Sequence, residues 1–531
     1  MKVLASDKLS QDGIAVFEQA GIQLDLKTGL PEDELVKIIP EYAALIVRSE
    51  TKVTPRIIQA GKNLQIIGRA GVGVDNIDLP SATARGIIVV NSPEGNTIAA
   101  AEHTLAMMLS MARKIPQAYQ LLVKERKWDR AQFQGVELYG KTLGVVGLGK
   151  IGSHVAKCCL GLGMRVVACD PFVSRETAES KGIDLKKLDE VLEEADFLTL
   201  HIPKTAETKG LINKEKFAIM KKGVRIVNCA RGGIIIEADL AAALRSGQVA
   251  AAAVDVFEDE KKALESPLLA NDLPTLVAVP HLGASTAEAQ INVAVDVARQ
   301  IVTVLTGGSA SAPVNIPTMR PALLEPVRPY MELAEQMGKF IGQVVKDTFS
   351  EIEINYKGEV AEVDPSPLST IILKGLLESI NPEGLVNFVN APLIAKEKNI
   401  SLKQSRAAKV EDYANEIEII VRTKKGRETV RGTLFTSIGG RIINVNGFTL
   451  SAIPQGILLL FTHQDKPGII GKLGTVLGEA GVNIAGMQVG REKIGGRAIM
   501  LINIDNKIEA DILAKISRIE GVLETPKVVQ F

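Results

Sequence analysis

The stretch VVGLGKIG, residues 145–152, decides the fold of the middle of this chain. Two valines with strand preference run directly into Gly147, Gly149 and Gly152, which are spaced Gly-x-Gly-x-x-Gly. Glycine-rich turns occur in many proteins for local reasons, so the triplet alone indicates no ligand. Its context is more informative, because the residues before it predict a strand and IGSHVAKCCLGLG after it predicts a helix.

In this context the glycines predict a dinucleotide site. The first permits a tight turn, the second lets the backbone approach a pyrophosphate, and the third allows close helix packing with the helix N-terminus facing the phosphate charge. Asp170 ends the next predicted strand, RVVACDP, roughly 20 residues further on, where a carboxylate accepts both ribose hydroxyls of NAD and repels the extra phosphate of NADP. The agreement of strand, helix and acid favours NAD over a turn without a ligand.

Composition excludes several function classes. The chain has 531 residues, of which 46% are apolar, and this length suggests roughly three or four domains. Lys+Arg and Asp+Glu are balanced at 62 each, so no global field attracts nucleic acid or an anionic membrane. Any anionic ligand must therefore be bound by locally placed cations.

The cysteines and the first residues bear on the compartment. Cys158, Cys159, Cys169 and Cys229 form no Cys-x-x-Cys pair and have no histidine at zinc-ligand spacing, so we predict no metal site and a reducing compartment. The start, MKVLASDKLSQDG, resembles neither a signal nor a transit peptide, and no apolar run reaches about 18 residues. We expect a soluble cytoplasmic protein that contacts neither membrane nor nucleic acid.

Strand and helix patterns divide the chain. Alternating short strands and amphipathic stretches predict two doubly wound Rossmann-like α/β lobes, one before and one after a single long helical pattern over residues 96–128. A further long helix, STAEAQINVAVDVARQIVTVLTG, precedes a boundary rich in Pro, Ser and Ala at residues 308–329. An α+β region follows, and the last 75 or so residues read βαββαβ, the ferredoxin-like order.

Three polar side chains follow successive strands of the second lobe. Arg231 lies in NCARGGIIIE, Glu260 in DVFEDE and His281 in VPHLGAST, and strand ends of such a sheet face the cofactor crevice. His281 suits the base that takes a hydroxyl proton during hydride transfer, Glu260 would orient it and favour its protonated form, and Arg231 would bind a substrate carboxylate through two hydrogen bonds. Singly, Glu260 could be a solvated loop acid and Arg231 a partner of strand-end carbonyls, and His281 alone favours neither a catalytic nor a structural role.

Together these segments resemble a known family. GRAGVGVDNID, GKTLGVVGLGKIG, NCARGG, AAVDVFEDE and PHLGAST are similar to the D-2-hydroxyacid dehydrogenases over residues 1 to about 317, and the remainder looks like the long form of that family, with an intervening domain and an ACT domain. The resemblance implies a substrate lobe (1–95 and 286–317), an NAD-binding lobe (96–285), an intervening domain (318–453) and an ACT domain (454–531). It supports Arg231, Glu260 and His281 as catalytic residues. Glu260 precedes Lys261, where the family usually has proline.

The resemblance also implies cofactor contacts beyond the three glycines. They fall on residues that follow strands of the nucleotide lobe: Lys150, Ile151, Asp170, Cys229, Ala230, Asp255, Gly283 and Ala284.

A phosphorylated substrate would need placed cations. Arg48 and Arg69 follow predicted strands of the first lobe, and Gly71 and Gly73 would leave backbone N–H groups free for a carboxylate or phosphate. These positions match the substrate site of the family. Arg130 is a further candidate, which in related enzymes reaches the neighbouring subunit's site; a structural salt bridge is the alternative for each arginine.

The C-terminal unit resembles the ACT domain through THQDKPGIIGKLGTVLGEAGVNIAGM. The helix N-terminus after Pro467 would face a ligand carboxylate, and His463, Asp465 and Asn483 are the candidate effector contacts. The family implies L-serine as effector at a subunit interface, and we expect a homotetramer. The alternative is a unit kept only for oligomer contacts.

The family resemblance implies NAD-dependent oxidation of 3-phospho-D-glycerate to 3-phosphooxypyruvate, the first step of L-serine biosynthesis, with feedback by serine. Another D-2-hydroxyacid dehydrogenase, acting on glycerate, hydroxypyruvate or 2-oxoglutarate, is disfavoured by the regulatory C-terminal unit. A non-catalytic NADH-sensing regulator is disfavoured by the same unit and by the absence of an obvious disordered tail. A sensor with an inactive dehydrogenase would have lost one of Arg231, Glu260 and His281, and all three are present.

Overall fold

The computed structural model of the chain describes residues 1–270, 272–345, 347–381, 385–409, 412–424 and 426–531. Within these ranges it contains two parallel sheets, of five and seven strands, followed by a six-stranded and a four-stranded sheet that are mainly antiparallel. Each described helix is too short or too polar to traverse a bilayer.

The first sheet is parallel throughout, in the order β2-β1-β3-β4-β5. Its central strand β3 is fully buried, as expected for a parallel sheet covered on both faces. The side chains of Ser10 and Asp78 accept backbone N–H bonds at the starts of two of the surrounding helices. The elements are β1 (Lys2–Ala5), α1 (Gln11–Gln19), β2 (Gln23–Leu26), α2 (Glu32–Ile38), β3 (Ala44–Val47), α3 (Pro55–Ala60), β4 (Ile66–Arg69), α4 (Leu79–Ala84) and β5 (Ile88–Asn91).

The connection to the second sheet is interrupted. α5 (Thr97–Ala112) ends before Lys114, which adopts a left-handed conformation with φ 53°. α6 (Ile115–Tyr119) then begins with Pro116 in its first turn and runs into a π-helical turn. The prediction of one continuous helix over 96–128 is therefore wrong, because proline lacks the N–H that the preceding turn would need and clashes with its carbonyl.

The second sheet has the order β12-β11-β10-β9-β6-β7-β8, again parallel. The chain leaves β6 for β7 on one side and later returns to β9 on the other, so the glycine-rich turn after β6 lies at the topological switch point, where such sheets bind ligands. The elements are β6 (Thr142–Val146), α7 (Lys150–Gly161), β7 (Arg165–Cys169), α8 (Arg175–Glu179), β8 (Asp184–Leu185), α9 (Leu188–Glu194), β9 (Phe197–Leu200), α10 (Lys214–Ile219), β10 (Val224–Asn228), α11 (Glu237–Arg245), β11 (Val249–Val254) and β12 (Leu276–Ala278).

α12 (Ala287–Leu305) returns the chain to the first sheet. Its buried residues Val297 and Ile301 share a core with Phe17 of α1. A Cβ on Gly68 of β4 would collide with Val297, so the glycine permits this close approach. The first lobe is thus completed by a segment that follows the second lobe in sequence.

The next module has a six-stranded sheet in the order β14-β13-β15-β16-β17-β18, parallel only between β13 and β14. α14 and α16 pack closely, since a Cβ on Gly338 or Gly375 would meet the backbone of the facing helix. The elements are α13 (Pro321–Leu324), α14 (Met331–Val344), β13 (Phe349–Gly358), α15 (Glu359–Glu362), α16 (Ser366–Ile380), α17 (Ala391–Glu397), β14 (Ser401–Ala407), β15 (Asn415–Thr423), β16 (Gly426–Phe435), β17 (Gly439–Val445) and β18 (Phe448–Ala452).

The C-terminal unit has the βαββαβ order that the sequence predicts. Its sheet has the strand order β20-β21-β19-β22, and its two helices share a core with the sheet. The elements are β19 (Ile457–Gln464), α18 (Ile469–Glu479), β20 (Ile484–Arg491), β21 (Arg497–Ile504), α19 (Ala510–Ser517) and β22 (Lys527–Gln530). The predicted fold class, two doubly wound lobes followed by an α+β and a ferredoxin-like module, is confirmed.

Candidate active site

The three predicted catalytic residues lie at one edge of the second sheet. Arg231 follows β10, Glu260 follows β11 and His281 follows β12, and these strands are neighbours in the sheet. Because parallel strands present their carboxyl ends at the same edge, the connections after them converge.

His281 and Glu260 form a pair. The distance from His281 Nδ1 to Glu260 Oε1 is 2.6 Å, with the two side chains 45% and 52% exposed. The hydrogen bond from His281 lowers the pKa of Glu260 below its usual value, against an opposing effect of burial. With Nδ1 directed at the carboxylate, Nε2 is the ring nitrogen left for a substrate proton.

The backbone of His281 is held in an unusual conformation. Its φ of 54° lies in the left-handed region, which side chains other than glycine adopt rarely. The fully buried Asp255 stabilises this turn: its carbonyl accepts the His281 N–H at 2.8 Å, and its carboxylate accepts those of Leu282 at 2.6 Å and Gly283 at 2.9 Å. Asp255, which the sequence interpretation assigned to the cofactor, therefore also fixes the histidine turn.

A histidine that the sequence interpretation did not single out lies behind this turn. His103 Nε2 of α5 is 3.3 Å from Asp255 Oδ1. With Cys229 these residues bring possible metal-ligand atoms within 4.8 Å of one another, although the sequence predicts no metal. Burial, together with the charge of Asp255, raises the pKa of the Cys229 thiol to about 12, which leaves it protonated at neutral pH.

Arg231 faces the first lobe across the cleft. Its Nε is 3.4 Å from Asp75 Oδ2, and its Nη1 donates to the carbonyl of Ala230 at 2.7 Å. A Cβ on Gly73 would collide with the guanidinium of Arg231. Gly73 thus lets Arg231 of one lobe approach the backbone of the other.

Arg69 lies beside this pair. Its Nε donates to Asn76 Oδ1 at 3.1 Å. Burial lowers its pKa to about 10, and the positive charges of Arg231 and Arg48 act in the same direction, while Asp75 opposes them. The guanidinium is still positive at neutral pH, in a surrounding that favours a further anion.

One detail of the predicted substrate loop is wrong. The N–H of Gly71 is not free for a ligand, because it donates to the carbonyl of Arg69 at 2.8 Å in a tight turn. Gly71 instead makes room, since a Cβ there would collide with the Arg69 guanidinium.

Arg48 is positioned through its backbone. Its N–H donates to Asp7 Oδ2 at 2.5 Å, and its carbonyl accepts from Asn76 Nδ2 at 2.7 Å. Asp7 and Asn76 are supporting residues that sequence reasoning missed. Arg130 is exposed in a different segment, before a 3₁₀ turn at 131–133, and within the described ranges its guanidinium has no partner.

The glycine-rich turn fits a dinucleotide. Gly147 has φ 96°, and a Cβ there or on Gly152 would collide with backbone, whereas a Cβ on Gly149 would have no atom within 4 Å. Gly149 is also the N-cap of α7, so it contributes no side chain to cover the first N–H groups of the helix. The first and third glycines therefore serve packing, and the second leaves open space at a helix N-terminus, as pyrophosphate binding requires.

Asp170 is fixed beside this turn. Its two carboxylate oxygens accept the N–H of Leu148 at 2.7 Å and of Phe172 at 2.8 Å, and each oxygen keeps a lone pair for a ribose hydroxyl. Lys150 pairs with Glu94, which follows β5 of the first lobe, and Ile151 packs against the core beneath the turn. Cys229 and Ala230 follow β10, and Gly283 and Ala284 follow the histidine turn, so all the predicted cofactor residues lie at this edge of the sheet.

Two of the predicted effector residues have local partners, and the third has one at only one ring nitrogen. His463 is 3% exposed, with Nδ1 2.9 Å from the Gln464 carbonyl, and its buried Nε2 has no hydrogen-bond partner within the described ranges. Asp465 accepts the Gly495 N–H at 3.1 Å and lies 3.4 Å from Arg491. Asn483 Nδ2 donates to Asp505 at 2.6 Å. α18 nevertheless begins as predicted, with Gly468 as its N-cap and no side-chain cap.

Family comparisons agree with this architecture. Residues 105–283 match the D-isomer specific 2-hydroxyacid dehydrogenase, NAD binding domain, so the second lobe is an NAD-binding domain. Residues 326–446 match the D-3-phosphoglycerate dehydrogenase intervening domain, and residues 457–521 match the ACT domain.

Whole-chain relatives are similar over nearly their full length. A D-3-phosphoglycerate dehydrogenase of Synechocystis is 49% identical over 98% of this chain and 93% of its own. One of Archaeoglobus fulgidus is 43% identical over 99% of both chains. The crystal structure of the NAD⁺-bound 3-phosphoglycerate dehydrogenase of Entamoeba histolytica aligns with a TM-score of 0.50 and 30% identity, covering 59% of this chain and 98% of that one. The chain therefore belongs to the D-3-phosphoglycerate dehydrogenases, a family built on the D-isomer specific 2-hydroxyacid dehydrogenase fold with an intervening and an ACT domain.

Proposed function

We propose that this protein oxidises 3-phospho-D-glycerate to 3-phosphooxypyruvate with NAD, the first step of L-serine biosynthesis. One observation carries the proposal: the His281–Glu260 pair lies at the same sheet edge as Arg231, which meets Arg69 of the first lobe across the cleft. A proton acceptor thus lies in one cleft with cations for a carboxylate and a phosphate.

The residues of the chain divide the chemical work. Arg231 binds the substrate carboxylate with its planar fork and so orients the carbon that carries the hydroxyl. His281 Nε2 accepts the hydroxyl proton, and Glu260 stabilises the imidazolium that results. NAD, when bound, would supply the acceptor for the hydride that leaves the same carbon. The open space over Gly149 and the lone pairs of Asp170 would hold the pyrophosphate and the adenosine ribose.

The phosphate would be bound by the remaining guanidinia. Arg48 directly follows β3, and Arg69 is the last residue of the neighbouring strand β4. The two positive charges are close enough to interact. Since the chain carries no net charge, this local cluster must supply the attraction for a phosphorylated acid. Gly71 and Gly73 provide the room that the guanidinia need.

Regulation and assembly belong to the same proposal. L-serine would bind near His463, Asp465 and Asn483 and inhibit the enzyme, in a homotetramer in which Arg130 reaches a neighbouring subunit's site. The match to the ACT domain supports an amino-acid effector. We retain the division into residues 1–95 with 286–317, 96–285, 318–453 and 454–531. We also retain a cytoplasmic location, which the free thiols of all four cysteines support.

The initial rate of NADH formation tests the proposal. It is measured with 3-phospho-D-glycerate and with unphosphorylated D-glycerate, each with and without millimolar L-serine. We expect a strong preference for the phosphorylated acid and inhibition by serine. Equal rates on the two acids would contradict the phosphate site, and rates unaffected by serine would contradict the effector assignment.

A further inference from the structure

A buried carboxylate outside the proposed catalytic set contacts the loop that carries Glu260. Glu237 is the first residue of α11 and is only 8% exposed. One of its oxygens accepts the backbone N–H of Glu258, and the other accepts the hydroxyl of Ser266, both through short hydrogen bonds. Each carboxylate oxygen therefore has a partner from the same loop.

These two partners lie on either side of Glu260 in the sequence. Glu258 precedes the 3₁₀ turn Glu260–Glu265, and Ser266 follows it and caps the next turn at Leu268. A buried carboxylate is costly unless its oxygens are satisfied, and the N-terminus of a helix favours its negative charge. The contacts of Glu237 thus stabilise both ends of the 3₁₀ turn Glu260–Glu265, which we call the catalytic turn.

The same contact joins the Glu260 loop to the segment that follows Arg231. A Cβ on Gly232 would collide with the carbonyl of Phe257, so the two backbones lie against each other there. Glu237 lies five residues further along this segment and bonds to the residue after Phe257. The position of the loop relative to Arg231 is therefore set by this glycine and this carboxylate together.

Apart from its pair with His281, the Glu260 side chain is 52% exposed. At the start of the turn Asp259 accepts the N–H of Lys261 at 3.1 Å, but this contact lies within the turn and does not tie it to the rest of the lobe. Catalytic geometry is sensitive to small displacements, and a shift of about 1 Å can cost roughly 100-fold in rate. A loop that was free to move would not keep the carboxylate at hydrogen-bond distance from the imidazole.

We propose that Glu237 is a positioning residue, which holds the Glu260 carboxylate against His281 by hydrogen bonds on both sides of the catalytic turn. This inference rests on the proposed function, in which the pair handles the substrate proton. Glu237 touches neither the substrate nor the cofactor in this assignment, and it acts through Glu260.

A double-mutant cycle tests the inference. Glu237→Ala is made in the wild-type chain and in Glu260→Ala, which removes the acceptor of the His281 hydrogen bond, and kcat is measured with the hydroxy acid that the wild-type enzyme oxidises fastest. We expect Glu237→Ala to lower kcat about 10- to 100-fold in the first background and less than about 2-fold in the second, because the interaction it supports is already absent there. An equal factor in both backgrounds would overturn the inference.

Rescue by a conservative substitution separates positioning from a merely structural role. Glu237→Gln should restore most of the rate, because its amide can accept from Glu258 and donate to Ser266. A Gln variant as slow as the Ala variant would contradict the proposal.

Asp239→Ala is the matched control. It removes another acid from the first turn of α11, but Asp239 accepts the N–H of Lys214 instead of contacting the catalytic loop. We expect its kcat to be close to wild type; a loss equal to that of Glu237→Ala would show that the helix end alone matters.

The design remains decisive in two unfavourable cases. If Glu237→Ala does not fold, Ser266→Ala removes one of the two bonds and leaves the carboxylate in place, and its smaller loss of kcat should likewise vanish in Glu260→Ala. If the preferred substrate is not 3-phospho-D-glycerate, the substrate comparison shows the failure of the proposed function, while the cycle on the preferred acid still decides the role of Glu237.

Discussion

The catalytic cleft and the ACT domain differ in how much of each candidate site a single chain provides. In the cleft, residues from both lobes meet: His281 lies 2.6 Å from Glu260, and Arg231 lies 3.4 Å from Asp75 of the other lobe. In the ACT domain, Asp465 and Asn483 are occupied by neighbours from their own unit. Candidate binding side chains from both lobes converge in the cleft, whereas Asp465 and Asn483 of the ACT domain are paired with neighbouring residues.

The difference follows from the two architectures. Successive strands of a parallel sheet all end at one edge, so residues far apart in sequence are brought together within one chain. In the ACT domain β19 and β20 both run antiparallel to β21, which lies between them, so Asp465 after β19 and Asn483 before β20 lie at opposite ends of the sheet. An effector site there therefore depends on displacing local partners or on adding a second copy of the chain.

The largest expected effect concerns His281, the proposed proton acceptor in the cleft. His281→Asn should lower kcat about 10²- to 10⁴-fold, because the proton acceptor is removed, while the dissociation constant of NADH stays nearly unchanged. Stopped-flow or steady-state NADH absorbance measures the rate, and fluorescence titration measures the binding. His154→Asn on α7 is the control, and a His281 variant with near wild-type turnover would refute the acid–base assignment.

Arg69→Gln tests whether the cleft recognises phosphate. Loss of a charged hydrogen bond costs about 1.5–3 kcal/mol, so kcat/KM for 3-phospho-D-glycerate should fall roughly 10- to 100-fold, with a much smaller change for D-glycerate. The exposed Arg85, on the same lobe, gives the control variant Arg85→Gln. Equal losses on both acids would assign Arg69 to folding or to the carboxylate instead.

Asp465→Ala tests the other side of the comparison. If Asp465 binds the effector's amino group, the serine concentration for half-inhibition should rise about 10-fold, while the rate without serine stays constant. Asp511→Ala on α19 removes an acid from the same domain as a control. If a second copy completes the site, inhibition should also weaken as the protein is diluted, and a concentration-independent response would argue for a site within one chain.

The smallest expected effect concerns Asp75. Its carboxylate is 71% exposed and occupies the guanidinium that would bind the substrate, so Asp75→Asn should lower KM for 3-phospho-D-glycerate. Exposed ion pairs contribute about 0.2–1 kcal/mol, which corresponds to a decrease of at most about 5-fold. A higher KM would mean that Asp75 orients Arg231 for the substrate rather than competing with it.

Much of the cleft was predictable because its signals are local. The strand, the three glycines and Asp170 lie within one short segment, and the polar residues after β10, β11 and β12 needed only the rule that parallel strands share an edge. The long helix over 96–128 was predicted wrongly because its apolar pattern continues past the point where Pro116 interrupts the hydrogen bonds.

The supporting residues could not be found in the same way. Asp255 is recognisable as the anchor of the His281 turn only once the N–H groups of Leu282 and Gly283 are seen to converge on it. Asp7, Asn76, His103 and Glu237 likewise contact segments distant in the sequence. Gly71 differs from its predicted role, which was to offer a free N–H to the ligand. Its N–H donates within a turn, and its missing Cβ makes room for Arg69.

The sequence by itself determined the modules and the dinucleotide turn and singled out the proposed acid–base pair, because hydrophobic period, glycine spacing and residue chemistry are properties of the chain. Only the tertiary structure decided which carboxylates orient the loops after the strands, which glycines make room for guanidinium groups, and that Asp465 and Asn483 are paired locally. Such contacts depend on the distance and direction between groups far apart in the chain, and packing and burial set both.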